Sequence, residues 1–162
     1  MRLFKNLFRK QYSNTDWEEI KKTDTVYPQN SISILRLKTE SGKFGTGWVD
    51  KAYDKYPYKK FCPYNFLIKV DLTDNIAEKN PNLDMLTIED FFRNELKKIC
   101  IAHTVSRIVT DTGMNIEMYL EKQEPAMQHL QTILEDPDRL VSFSCEVNKD
   151  PKWDAVSGLL KL

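Results

Sequence analysis

The chain has 162 residues, 41% of them hydrophobic and 30% charged, with 24 basic side chains against 24 acidic ones and therefore no formal net charge. That length supports a self-sufficient core and that composition argues against wholesale disorder, while the lack of a basic excess disfavours a phosphate-backbone partner, so nucleic acid is not expected. The three widely spaced cysteines Cys62, Cys100 and Cys145 fit reduced thiols in a cytoplasm better than a disulfide framework, and no run approaches the ~20 apolar residues of a membrane span.

In chain order, the segment MRLFKNLFRKQY sets Leu3, Phe4, Leu7 and Phe8 on one helical face among basic residues. It is expected to be a first helix docked on its own domain, since its apolar stretches are too short for a secretory signal. Asn14 or Thr15 is placed to cap a second short helix over 16–20 that ends before Pro28. Residues 32–38, rich in β-branched and apolar side chains, read as a strand; the turn Glu40-Ser41-Gly42-Lys43 and residues 44–49 complete a hairpin. The stretch 50–63 mixes tyrosines with lysines and contains Pro57 and Pro63, which predicts an ordered loop.

From Tyr64 the periods are clearer. Phe66, Ile68, Val70 and Leu72 share one face of a strand. Thr87 and Asp90 have capping-box spacing ahead of the run Ile88, Phe92, Leu96 and Ile99, which predicts a helix over 88–101. A strand over 103–111 and a turn at Asp111-Thr112-Gly113, whose glycine supplies a positive φ, lead to Met114, Ile116, Met118 and Leu120 alternating with polar residues. Pro125 opens a helix that stops at Asp136-Pro137, and Val141, Phe143, Cys145 and Val147 form a last strand. Asp150 and Pro151 then start a short docking helix carrying Trp153, Val156, Leu159 and Leu160.

The fold class expected is α+β: a ferredoxin-like β-α-β-β-α-β antiparallel sheet with two helices on one face. It forms a single domain, with a helical extension at 1–30, the hairpin and aromatic loop at 31–63, the core at 64–148 and the last helix at 150–162.

Gly47-Trp48-Val49 leading into Tyr56-Pro57-Tyr58 and Cys62-Pro63-Tyr64, the hairpin ending Met118-Tyr119, and the closing Asp150-Pro151-Lys152-Trp153 together form a pattern. On these stretches, 32–160 resembles the uncharacterised bacterial domain of unknown function family six-nine-five. The resemblance implies a ferredoxin-like core and leaves the biochemical role unassigned. Element order and the closing Asp-x-x-Trp are more distantly similar to the bacterial protein inhibitors of ribonuclease E, small α+β proteins that act by binding. Those tend to be acidic, whereas this chain is neutral.

No catalytic set stands out. Cys100 and His103 have the spacing of half a zinc site but lack a second half, and Cys100 sits on the apolar side of its helix. A Cys145 nucleophile with His103 as base fails on strand order, which separates them by three spacings or roughly 14 Å. The run Gly42 to Gly47 lacks the helix and the Ser or Thr of a phosphate loop. Lys51, Tyr53, Lys55, Tyr56, Tyr58, Lys59 and Lys60 interleave cations with rings as single-strand binders do, yet a packed aromatic loop suits a neutral chain better.

The sheet face away from the helices, with Lys69, Asp71, Glu117, Tyr119, Ser144 and Glu146, is a wet surface suited to a protein contact, unless the hairpin covers it. The leading expectation is a non-catalytic protein-binding module of inhibitor or immunity type, using that face (Lys69, Glu117, Tyr119, Glu146) and Tyr53, Tyr56 and Tyr58. Another protein is the expected partner, with a second copy pairing at a sheet edge as the alternative; no cofactor or metal is expected. The competing reading is a small enzyme or ligand-binding domain with a pocket between hairpin and core, where Tyr53, His103 or Glu117 serve as acids or bases.

Overall fold

A computed structural model describes residues 16–162. The amphipathic segment with Leu3, Phe4, Leu7 and Phe8, and the capping positions Asn14 and Thr15, lie outside the described residues. The order is α1 (Trp17–Ile20), β1 (Ile32–Lys38), β2 (Phe44–Asp50), β3 (Tyr64–Asp71), α2 (Asn75–Glu78), α3 (Met85–Lys97), β4 (Ala102–Val109), β5 (Gly113–Leu120), α4 (Glu124–Glu135), β6 (Ser142–Lys149) and α5 (Ser157–Leu160).

All strands join one antiparallel sheet in the order β1-β2-β4-β5-β3-β6. In count and order this differs from a simple four-stranded ferredoxin-like sheet, because the β1–β2 hairpin continues the sheet beyond β4. Thr46 to Val49 pair with Val109 to Ser106. Glycine is needed there: a Cβ on Gly47 would run into the Arg107 carbonyl oxygen. Since β2 lies beyond it, β4 is an interior strand, and Ala102 to Ser106 are all buried. His103 therefore does not sit at an edge.

One face of the sheet carries α3 and α4. Ile88, Phe92 and Leu96 of α3 and Ala126 and Leu130 of α4 pack on Phe66, Ile68, Met114, Ile116, Met118 and Phe143, following the helical and strand periods. Helix α3 begins three residues earlier than the capping box at Thr87 predicts. Asp84 is the N-cap, its Oδ1 accepting the Thr87 amide at 2.7 Å, so Thr87 donates through its backbone instead of capping. Gly113 has no positive φ; it is required because a Cβ would strike the Val70 carbonyl oxygen, whereas Gly42 in the first hairpin takes φ +82°.

The opposite face is covered at its Tyr119 end and open at the other, where Asp71, Ser144 and Glu146 are exposed, and the hairpin is not what covers it. The loop after β2, folded into 3₁₀ turns at Lys51–Tyr53 and Lys59–Phe61, lies over it with α5 and buries Tyr53, Tyr56, Cys62, Val105, Tyr119, Trp153, Val156 and Leu160 as a second core. Asp150 does not start a helix at Pro151. Its carboxylate accepts the Asp154 amide at 2.9 Å and the Ala155 amide at 3.0 Å, capping a 3₁₀ turn (Asp154–Val156) that runs into α5. Trp153, just before the turn, is held at φ 62°, a left-handed conformation that is rare for a bulky residue.

Candidate functional site

His103, at the second position of β4, is fully buried within the rings of Tyr27, Tyr53, Tyr56 and Trp153, whose centroids lie 4.9–5.7 Å from its own. Its Nδ1 is 3.2 Å from the Tyr53 hydroxyl and its Nε2 3.2 Å from the Tyr56 hydroxyl, which donates to the Val26 carbonyl at 2.6 Å. Because Tyr56 spends its proton on Val26, it accepts from Nε2–H, and Tyr53 donates to Nδ1. One neutral tautomer thus satisfies every group. Burial, with a smaller effect from Lys97, depresses the imidazole to about 3, and burial raises both tyrosines above their usual range. A saturated network this dry stabilises the fold and offers no base.

A cleft of about 460 Å³ opens between α3 and the hairpin. Tyr53 lines it, but His103 and Glu117 do not. Its floor is Glu89, only 3% exposed, which accepts from Arg107 at 2.9 Å and the Trp48 indole at 3.2 Å and lies 3.5 Å from Arg93. Asp50, also buried, accepts the Ser31 and Ala52 amides through one oxygen. Glu89, Arg93 and Arg107 were not singled out by the sequence. The i, i+4 spacing of Glu89 and Arg93 was the only signal, and it equally describes a surface helical pair.

The β1 edge is the other distinctive surface. Lys51 donates its amide to the Ser31 carbonyl, and Thr39 donates to the Lys43 carbonyl. By antiparallel alternation the odd residues of β1 bond to β2, and the N–H and C=O groups of Ile32, Ile34, Arg36 and Lys38 point away from the sheet. On the face shared with α3, Ile34 is 80% exposed, Phe44 61% and Ile32 49%, with Leu86 of α3 beside Ile32 at the cleft mouth. The Arg36 guanidinium lies over the Phe44 ring at 4.3 Å.

The residues expected to form a binding face are dispersed. Tyr53, Tyr56 and Tyr119 are buried, Tyr119 stacking on Trp153 at 4.1 Å and donating to Asp150 at 2.7 Å, so their rings are closed to a partner. Tyr58 is half-buried against Tyr56 and Trp17. Glu117 is half-buried, its carboxyl raised by burial despite a 2.9 Å hydrogen bond from Asn65. Lys69 and Glu146 pair across β3 and β6 at the surface. Cys145 pairs in register with core-facing Ile68, and burial pushes its thiol up to about 12. Among the described residues no three His, Cys, Asp or Glu side chains stand close enough to share a metal ion, and none of the described helices is long and apolar enough to cross a membrane.

No family model, no curated protein and no solved structure matches this chain.

Proposed function

We propose that this chain is a non-catalytic protein-binding module that takes an extended, acidic segment of another protein onto the outer edge of β1, which no described strand pairs. The observation that carries it is the exposure of Ile34 and Phe44 beside four residues whose backbone groups point outward. Both outer strands carry exposed charges, Arg36 and Lys38 on β1 and Glu146 and Lys149 on β6, but among the described residues only the β1 side adds large exposed apolar side chains, Ile32 and Ile34 with Phe44 beside them. Strand addition uses such an edge: the backbone supplies affinity, and alternate side chains supply selectivity.

Arg36 and Lys38, both exposed on the same face, favour an acidic partner. Pairing with a second copy centred on Leu35 would set Arg36 diagonal to its own counterpart at ~7–8 Å, a like-charge arrangement that disfavours that register of self-association. Burial of the Tyr53 and Tyr56 rings removes the stacking platform that single-stranded nucleic acid would need. The succession β3-α3-β4-β5-α4-β6 and the neighbour order β6-β3-β5-β4 support a ferredoxin-like unit within the larger sheet. The resemblance to the ribonuclease E inhibitors points likewise to action by binding, and a cytoplasmic setting suits the three free thiols.

Photo-crosslinking in a lysate of the source cells tests this, with the crosslinker placed at Ile34, at Phe44 or, as a control, at Glu146. One partner protein is expected from positions 34 and 44 and not from 146, and Arg36→Glu with Lys38→Glu should cut its capture about tenfold or more. Self-crosslinking alone, or equal capture from position 146, would contradict the reading.

A further inference from the structure

We propose that the cleft between α3 and the hairpin binds a small organic anion, a carboxylate or phosphate head on an apolar body. Two polar atoms in the wall of the cleft stand out: Thr104, 9% exposed, lines the cleft, and neither its buried Oγ1 nor the buried Nε of Arg107 has a hydrogen-bond partner among the described residues. Buried polar groups are nearly always satisfied, so two on one wall mark a place that a small side-chain shift would open to an acceptor.

The charges around the cleft specify the sign of that acceptor. Arg93, Lys97 and Arg107 line the cleft with Glu89 and Asp50; Arg93 pairs with Glu89 and, outward, with Asp90, and Arg107 pairs with Glu89, which leaves Lys97 as the lining cation without a carboxylate partner among the described residues. Both carboxylates are already engaged, Glu89 by Arg107 and Trp48 and Asp50 by two backbone amides. Lys97, its ammonium 4.2 Å from the Tyr27 ring centroid, stands at the exposed rim, where it can meet an incoming anion. Thr104 shares this wall with Ala102 by strand alternation, and the bulge in β4 between Thr104 and Ser106 brings Arg107 onto the same face. Tyr27, Trp48, Ile32 and Leu86 supply apolar surface for the rest of the ligand, and about 460 Å³ lies within the range of small-molecule sites. The site is independent of strand addition at β1, although the two share the rim at Ile32.

The test is a titration of the full chain with benzoate and, separately, inorganic phosphate, followed by ¹H–¹⁵N correlation spectra. Saturable shifts are expected at the Arg107 Nε–H, the Trp48 indole N–H and the Thr104 amide, with β6 amides unmoved. The double variant Thr104→Val/Lys97→Met preserves shape and should weaken binding tenfold or more; Lys97→Met alone carries the comparison if the double variant does not give a native spectrum. Absence of saturable shifts with both probes, or wild-type affinity in the variant, would overturn the proposal.

Discussion

Replacing Trp153 by alanine is expected to lower the unfolding free energy by about 3–5 kcal/mol, the range for deleting a fully buried large aromatic side chain. Trp153 is wholly buried, stacks on Tyr119 and packs against Tyr53, Tyr56 and His103. Its indole N–H donates to the Cys62 carbonyl at 2.9 Å and the Lys59 carbonyl at 3.2 Å, tying the C-terminal turn to the aromatic loop. Truncation would therefore detach both covers from the second face of the sheet. The left-handed φ adds a distinguishing sign: Trp153→Gly should be no less stable than Trp153→Ala, reversing the usual order because glycine adopts φ 62° without strain. Urea unfolding midpoints of the two variants check both statements.

Acid should unfold the protein earlier than its carboxylates alone would require. His103 has an ordinary value of 6.5 and is depressed to about 3 when folded, so the unfolded chain binds the proton first. Its contribution is complete above pH 6.5 and is lost as pH falls below it, at about 1.4 kcal/mol per pH unit, or roughly 2–3 kcal/mol between pH 6.5 and 4.5. The carboxylates held low by their hydrogen bonds, such as Asp84 with the Thr87 amide and Asp74 with Ser142, contribute stability that is lost only below their ordinary range. Glu117, raised by burial, takes up its proton first in the folded chain and offsets part of this loss at the acid end of the window, so the imidazole is isolated by comparison with a variant that keeps Glu117. Denaturant titrations should show a steep fall across it for the wild type and a shallower one for His103→Gln. Equal slopes would mean that His103 is not buried neutral.

What the sequence disclosed follows from how local each signal is. The alternation from Met114 to Leu120 and the helical spacing from Ala126 to Leu134 depend on neighbours in the chain, and β5 and α4 formed where those periods predict. Addition of β2 to β4 depends on a pairing some sixty residues apart, Gly47 with Ile108, whose only sequence trace is a pair of glycines in a strand. Tyr119 shows the same limit. It alternates in phase with Asn115 and Glu117, which reads as a wet face, but Trp153 arrives from the far end of the chain to cover it. The density of aromatic residues between 53 and 61 and the closing Asp150-Pro151-Lys152-Trp153 were the signals that such a cover existed, although their target was not legible. The content of the cleft was not legible, since Glu89, Arg93 and Arg107 meet only once α3 lies against the hairpin and β4.

Amide hydrogen exchange along β1, measured residue by residue in the free chain and in the complex with its captured partner, tests strand addition most directly. In the free chain Ser33, Leu35 and Leu37 should be protected by β2, while Ile32, Ile34, Arg36 and Lys38 exchange rapidly; the partner should slow these four by tenfold or more. Protection of the four in the free monomer, or their continued rapid exchange in the complex, would contradict strand addition at this edge.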